Sequence, residues 1–283
     1  MSGRTLHFAR QGRGPALVLL HGFTGSGQGM AEIAQSLGQD YETLAVDLPG
    51  HGQSADLERA DTDGFDECLD DLVATLESAG HRQAHWLGYS MGARLALGCA
   101  VRHPDSVTSL VLLGGRAGIA DPIERATRCR EDAALADRIE AVGVEAFVDE
   151  WLAQPMFASL RQRGAGFLAE QRRQRLGNSA RGLADSLRRL GPGAQPPLFD
   201  ALPRVAVPVL LVAGALDRKF VALAHDLAGR LPQAEICEIA DAGHAAHLEQ
   251  PKPSFTLSRI FCAGPPRRRH PFTCVRFRRP RHD

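Results

Sequence analysis

The stretch Ala84-His85-Trp86-Leu87-Gly88-Tyr89-Ser90-Met91-Gly92-Ala93-Arg94 decides how this chain folds. Ala84 to Leu87 reads as a short buried strand, and Ala93 to Val101, rich in Ala and Leu, reads as a helix. Between them the backbone reverses within a few residues. Glycine at 88 and 92 relieves the crowding there and leaves the Ser90 hydroxyl exposed at the strand end. A bare G-x-S-x-G match arises often by chance, so its weight comes from this strand-turn-helix setting. Ser90 is thereby the candidate nucleophile or base.

Outward from Ser90, strand-like and helix-like segments alternate. Ala16 to Leu20 reads as a strand, Met30 to Leu37 as a helix, Thr43 to Val46 as a strand and Phe65 to Ser78 as a helix, with a further strand at Val107 to Leu113. Such alternation predicts a mostly parallel central sheet with helices on both faces. Active sites of such sheets lie beyond the carboxyl ends of the strands. His21-Gly22-Phe23, Asp47, Ser90 and Gly114-Gly115 fall at those ends. From residue 116 to 202 the rhythm becomes helical, broken at Gly164-Ala165-Gly166, Gly177-Asn178 and Gly191-Pro192-Gly193. The strand pattern then resumes at Pro208 to Val212, followed by a helix from Val221 to Leu231 and a strand from Glu235 to Ile239. The expected organisation is therefore a core of residues 1–115 and 203–251, a helical cap of residues 116–202 inserted into it, and a basic, Pro- and Arg-rich tail of residues 252–283.

The chain has 283 residues, enough for one large α/β domain with an insertion. Its formal charge of zero hides an asymmetry. From Lys252 onward there are nine Lys and Arg against one acid, which leaves residues 1–251 with 24 basic and 32 acidic side chains. An acidic body argues against nucleic-acid binding. Six scattered cysteines, at 68, 99, 129, 237, 262 and 274, read as reduced thiols, with no C-x-x-C or Cys/His cluster to hold a structural metal. The N-terminus lacks a secretory pattern, and apolar runs such as Ala16 to Leu20 are too short to cross a membrane. The expectation is a cytoplasmic enzyme without metal or organic cofactor, a monomer or weak homo-oligomer with no nucleic-acid or membrane partner.

A serine hydroxyl is a poor nucleophile or base until a histidine takes its proton, and the histidine needs a carboxylate to fix its tautomer. Asp217 follows the strand ending at Val212, and His244 follows the last strand in Asp241-Ala242-Gly243-His244. The chain order Ser90, Asp217, His244 is that of the α/β-hydrolase fold. Asp217 could instead only cap the next helix, and His247 is a competing base. The backbone N–H groups of Phe23 and Met91 are the expected oxyanion donors. His21 is read as holding its loop by hydrogen bonds.

Longer strings go further. They are His21-Gly22-Phe23-Thr24-Gly25, Val46-Asp47-Leu48-Pro49-Gly50-His51-Gly52, Gly64-Phe65-Asp66, Gly88 through Arg94, Trp151 with Gln154-Pro155-Met156-Phe157-Ala158-Ser159-Leu160, Leu216-Asp217-Arg218-Lys219-Phe220, and Ala242 through His247. Together they resemble the 2-succinyl-6-hydroxy-2,4-cyclohexadiene-1-carboxylate (SHCHC) synthase family of menaquinone biosynthesis, in the α/β-hydrolase superfamily. The likeness runs from about Leu6 to Pro251. It implies a lyase that eliminates pyruvate from an enolpyruvyl cyclohexene carboxylate also bearing a succinyl group, with Ser90, His244 and Asp217 working as a base. Such a small-molecule tricarboxylate calls for guanidinium forks. By match with the family these would be Arg94, Arg128 and Arg175, with Tyr89 and Trp151 completing the pocket. Two other readings stay open at this level: a hydrolase of esters, thioesters or C–C bonds with Ser90 as nucleophile, and a ligand-binding protein on the same fold.

The chain departs from the family at its end. After Gln250-Pro251 this fold normally closes with an amphipathic helix, whereas residues 252–283 show no sustained helical period and contain a triple arginine, Arg267-Arg268-Arg269. They are expected to form an altered or disordered tail.

Overall fold

Alternate residues of the strand Ala16–Leu20 join different cores: Leu17 and Leu19 pack with one buried cluster, Val18 and Leu20 with another. A strand that buries both sets of side chains must be covered on both faces. The computed structural model, which describes residues 3–55, 57, 64–252, 254 and 274–277, shows that arrangement.

The elements follow in chain order: β1 Phe8–Gly12, β2 Ala16–Leu20, α1 Ala31–Leu37, β3 Glu42–Val46, α2 Phe65–Ser78, β4 Ala84–Tyr89, α3 Met91–Arg102 and β5 Val107–Leu113. Then come α4 Pro122–Leu152, α5 Ala165–Arg175, α6 Ala180–Leu190, β6 Val209–Gly214, α7 Arg218–Arg230, β7 Ala234–Ile239, α8 Ala246–Glu249 and β8 Cys274–Phe277. The sheet order is β1-β3-β2-β4-β5-β6-β7-β8. From β3 to β7 every neighbouring pair is parallel, and β1 and β8 close the two edges antiparallel. On one face, Leu69 and Leu72 of α2, Ala93 and Leu97 of α3 and Leu227 of α7 pack with Trp86, Leu112 and Leu211. On the other, Ile33 and Leu37 of α1 pack with Leu87, Val111 and Leu210.

The predicted strands Ala16–Leu20 and Val107–Leu113 and the helix Phe65–Ser78 have the bounds read from the sequence. β3, β4, β6 and β7 differ from that reading by one or two residues at their ends, and two strands were absent from it. In β1, Phe-Ala-Arg-Gln-Gly, every position but Phe8 is exposed, so an apolar run could not announce it, and its order comes from pairing with β3. In the tail, Cys274–Phe277 forms a strand antiparallel to Ala234–Cys237, where no element was expected. Cys-Val-Arg-Phe has a β-branched and an aromatic residue in alternation, and β7 would otherwise present an open edge. Apart from Lys252, Ser254 and these four residues, the expected tail lies outside the described residues. Cys99 and Cys129 are free thiols.

Between β5 and β6 the described chain is helical. Asp121 caps α4 by accepting from the amides of Ile123 and Glu124, and Pro122 stands at its first position. Gly143 (φ 78°) breaks α4 midway, a kink the sequence reading did not place. Leu183, Ala184 and Leu187 of α6 pack with Ala136, Ile139 and Phe147 of α4. The helical layer is fastened to the strand-end loops by Asn178, whose amide donates to Thr24 O at 2.8 Å and accepts from Gly52 N at 2.9 Å. Gly50 (φ +81°) and Gly182 touch there so closely that a Cβ on Gly50 would stand 2.2 Å from Gly182 O.

Two buried histidines hold the same loops. His21 accepts from Leu48 N and donates to Gly22 O, and His51 accepts from Thr24 N and donates to Pro49 O. Burial lowers their pKa values, that of His21 from 6.5 to about 4 and that of His51 from 6.5 to about 3. The unfolded chain therefore binds protons that the fold refuses. This contribution to stability is complete above pH 6.5 and is lost as pH falls towards 4 and then 3. Urea midpoints should drop between pH 6.5 and 5, above the carboxylate range, and His51→Gln should flatten that drop. A second expectation concerns Gly92, where a Cβ would lie 2.3 Å from Leu20 O. Gly92→Ala should cost at least ~2 kcal/mol by urea unfolding.

Candidate active site

The turn between β4 and α3 is built by close backbone approach. A Cβ on Gly88 would meet Gly92 O at 2.3 Å, so no larger residue fits while α3 starts there. Ser90 takes a positive φ of 52° (ψ −103°), which for a non-glycine residue costs about 1–3 kcal/mol. Two bonds hold it: Ser90 N–H donates to Leu113 O at the end of β5, and Gly92 N–H to His21 O just past β2. The hydroxyl is thereby presented above the carboxyl ends of the central strands.

His244 reaches it from the loop after β7. Ser90 Oγ lies 3.1 Å from His244 Nε2, and His244 Nδ1 lies 2.8 Å from Asp217 Oδ2. The network assigns the Nδ1–H tautomer, with Ser90 donating to Nε2. Asp217 does both things the sequence allowed, because its other oxygen accepts from Phe220 N at 3.3 Å and caps α7. His247 is not placed to compete. Its ring packs on Tyr89 at 4.4 Å, and burial, with His244 and Arg175 nearby, lowers its pKa to about 3.

The His244 loop has a further support that the sequence did not disclose. Glu249, buried in α8, accepts from Gly243 N at 2.6 Å and Ala245 N at 3.1 Å, so one carboxylate clamps the amides on both sides of His244. A Glu six residues past a Gly is no signal in one dimension; the short helix α8 turns it back.

Beside Ser90 and His244 opens a cavity of about 370 Å³. Phe23 and Met91 line it, and among the described residues no hydrogen-bond acceptor is recorded for either backbone N–H. Trp151 forms part of its wall, in an aromatic group with Phe23 (5.3 Å), Phe147 and Phe157, and its indole N–H is buried without a partner among the described residues. Arg94 and Arg128 line the same cavity. Arg94, in the first turn of α3, is 5% exposed and donates to Gln195 Oε1 at 3.2 Å and Leu190 O at 2.7 Å. Its pKa is lowered to about 9, first by burial and then by Arg128 and Arg116, against the pull of Asp132. Arg128 donates to Asp132 at 2.7 Å, and Asp132 also accepts from Gly193 N.

Arg175 and Tyr89 are not on this wall. Arg175 is buried in α5, donates to Gln171, and leaves Nε without a partner among the described residues. Tyr89 packs beneath the site, 5.4 Å from His244, and burial pushes its phenol pKa up. The lining residues that sequence reasoning did not assign include Arg116, Gln154, Lys219 and Phe220. Gln154, Lys219 and Phe220 sit inside strings already singled out, so their signal was present. Arg116 directly follows Gly114-Gly115 at a strand end, the one cue to its place. Among the described residues no group of three or more His, Cys, Asp or Glu could hold a metal ion, and no helix is long and apolar enough to cross a membrane.

Comparison with known proteins agrees with this geometry. The family model of the alpha/beta hydrolase fold matches residues 15–251. A 2-succinyl-6-hydroxy-2,4-cyclohexadiene-1-carboxylate synthase of Yersinia pseudotuberculosis serotype O:3 (strain YPIII) is 38% identical over 248 residues, 85% of each chain. The solved structure of MenH from S. aureus superposes with a TM-score of 0.83 at 30% identity, covering 90% of this chain and 96% of that one. A thermophilic esterase from Thermogutta terrifontis, 24% identical with a TM-score of 0.76 and covering 90% and 92%, shares the fold. By its fold over residues 15–251 and its identity across 85% of its length, this chain belongs to the alpha/beta hydrolase fold family and, within it, to the 2-succinyl-6-hydroxy-2,4-cyclohexadiene-1-carboxylate synthases.

Proposed function

We propose that this chain is a carbon–oxygen lyase that eliminates pyruvate from 2-succinyl-5-enolpyruvyl-6-hydroxy-3-cyclohexene-1-carboxylate to give SHCHC, a step of menaquinone biosynthesis. The observation that carries the reading is Arg94, a guanidinium buried in the first turn after Ser90 and lining the same cavity as Ser90, His244 and Arg128. Burying a cation next to a reactive serine is costly unless an anion is to be held there. An esterase for neutral substrates has no use for it.

In this reading Ser90 Oγ, its proton passing to His244 Nε2 while Asp217 holds the ring, removes the proton at ring carbon 2, which the adjacent succinyl carbonyl acidifies. The C2–H electrons form C2=C3, the alkene moves to C4=C5, and the C5–O bond breaks. The departing enolpyruvate gains a proton and becomes pyruvate. Phe23 and Met91 N–H groups steady the charge on the succinyl carbonyl oxygen as it becomes an enolate. Arg94 and Arg128, each with a planar fork, position carboxylates of the tricarboxylate so that the C2 proton meets Ser90. Arg175 and Tyr89 support the site from outside this wall, and Trp151 lends its unpartnered N–H. No acyl-enzyme forms. The setting that fits this role is the cytoplasm, the chain acting on a small molecule as a monomer or weak homo-oligomer, without nucleic acid.

Pyruvate release from the enolpyruvyl substrate, measured beside hydrolysis of small activated esters, is the direct test. Pyruvate without ester turnover is expected; efficient ester turnover without pyruvate would replace the lyase by a hydrolase using Ser90 as nucleophile. Ser90→Ala should lose at least ~10²-fold in pyruvate release. Loss of one charge-assisted contact is worth roughly 1.5–3 kcal/mol, so Arg94→Ala should lower kcat/KM about 10- to 100-fold.

A further inference from the structure

The cavity beside Ser90 holds four cationic side chains, Arg94, Arg116, Arg128 and Lys219, against two acids, Glu131 and Asp132. Two of these cations already have protein partners: Arg94 donates to the neutral oxygens of Gln195 and Leu190, which leaves its charge uncompensated, and Arg128 Nε is paired with Asp132, which also accepts from the Gly193 amide. Arg116 differs. Its one hydrogen bond among the described residues runs from Nε to Gly118 O at 3.2 Å, and neither terminal nitrogen is paired with any described acceptor or acid. The group is nevertheless half withdrawn from solvent, and desolvation, followed by the neighbouring Arg128, lowers its pKa against the more distant pull of Glu124 and Asp132. A guanidinium held by Nε, with its terminal pair unused inside a cavity lined by further cations, has no carboxylate in hydrogen-bonding contact among the described residues.

Its position gives that anion a place. Arg116 stands two residues past Gly114, whose absent Cβ would lie 3.0 Å from His244 Cε1, so the backbone that carries it runs against the histidine ring. Gly114 (φ 61°) is anchored to the next strand by its N–H donating to Val212 O at 2.9 Å. The arm that presents Arg116 is therefore part of the sheet end and not of the helical layer that brings Arg128. We infer that Arg116 is a carboxylate-binding residue of this cavity, supplying with Arg94 and Arg128 the third guanidinium for a polycarboxylate substrate. The inference rests on the lyase reading for the identity of that substrate, but the anion site is testable without turnover.

The probe is propane-1,2,3-tricarboxylate, with its trimethyl ester as the uncharged control, titrated calorimetrically into the purified full-length chain. The wild type should bind the tricarboxylate and not the ester. Arg116→Gln should weaken binding about 10-fold or more, and Arg116→Lys, which keeps the charge but loses the fork, about 3-fold or more. Exposed Arg130, which donates to Thr127 and does not line the cavity, provides the control Arg130→Gln, expected to bind as the wild type. With the enolpyruvyl substrate, Arg116→Gln should raise KM more than it lowers kcat, the signature of lost anchoring. If the wild type fails to bind the tricarboxylate, or binds it no better than both Arg116 variants do, the inference falls. If the wild type releases no pyruvate yet tricarboxylate binding depends on Arg116, the lyase reading falls and the anion site stands. Urea unfolding of each variant confirms that binding is measured on folded protein; should Arg116→Gln not fold, Arg116→Lys decides.

Discussion

Everything at the candidate site is placed by the contact between the backbones of β4 and α3 at Gly88 and Gly92. With no Cβ at either position, the helix starts against the strand and against Leu20 O, and Ser90 between them takes a backbone conformation that L residues avoid. The cost is borne by the sheet. Ser90 N–H is bonded to the end of β5, and Gly92 N–H to the residue after β2, so the serine cannot relax without disturbing three parallel strands. His244 and Asp217 are measured from the same sheet, since Asp217 follows β6 and His244 follows β7. Hence distances of 3.1 Å and 2.8 Å can be held by residues 154 and 27 positions apart.

Around that rigid centre the electrostatics are unbalanced towards positive charge. A buried guanidinium is normally compensated by a carboxylate, yet the cavity has more guanidinium than its acids can neutralise, and Arg94 is pressed down to about pKa 9 by burial and by its cationic neighbours. It remains charged at neutral pH. Asp132 tempers the cluster without cancelling it, being shared between Arg128 and the Gly193 amide. On the proposed function, a substrate carboxylate would meet donors already desolvated and oriented, which is where charge-assisted bonds are strongest. Because Arg94 belongs to the core and Arg128 to the inserted helices, the two layers must be docked for the cavity to exist. Asn178 and the Gly50–Gly182 contact supply that docking.

Much of this was legible in one dimension. The parallel sheet was readable because its central strands are short apolar runs buried on both faces, and the helices between them carry a clear period. Ser90, Asp217 and His244 were readable because each follows a strand, and strand ends converge. What escaped had weak or non-local signals. β1 has no buried side chain and only Phe8 partly buried, and the Cys274–Phe277 strand is set by an open edge of β7. The kink at Gly143 looks in sequence like any helical glycine.

The amino-acid sequence by itself determined the chain's fold family, the strand-turn-helix that carries Ser90, and the order of the groups that follow it, since period, turn chemistry and strand ends are local properties. Only the tertiary structure decided which arginines share a cavity with Ser90. It put Arg94, Arg128 and Arg116 around one cavity, left Arg175 and Tyr89 out of its lining, and bent Glu249 back onto the His244 loop. The reason is physical: a guanidinium acts through its last few ångströms, and where a long side chain ends depends on the packing of elements far apart in the chain.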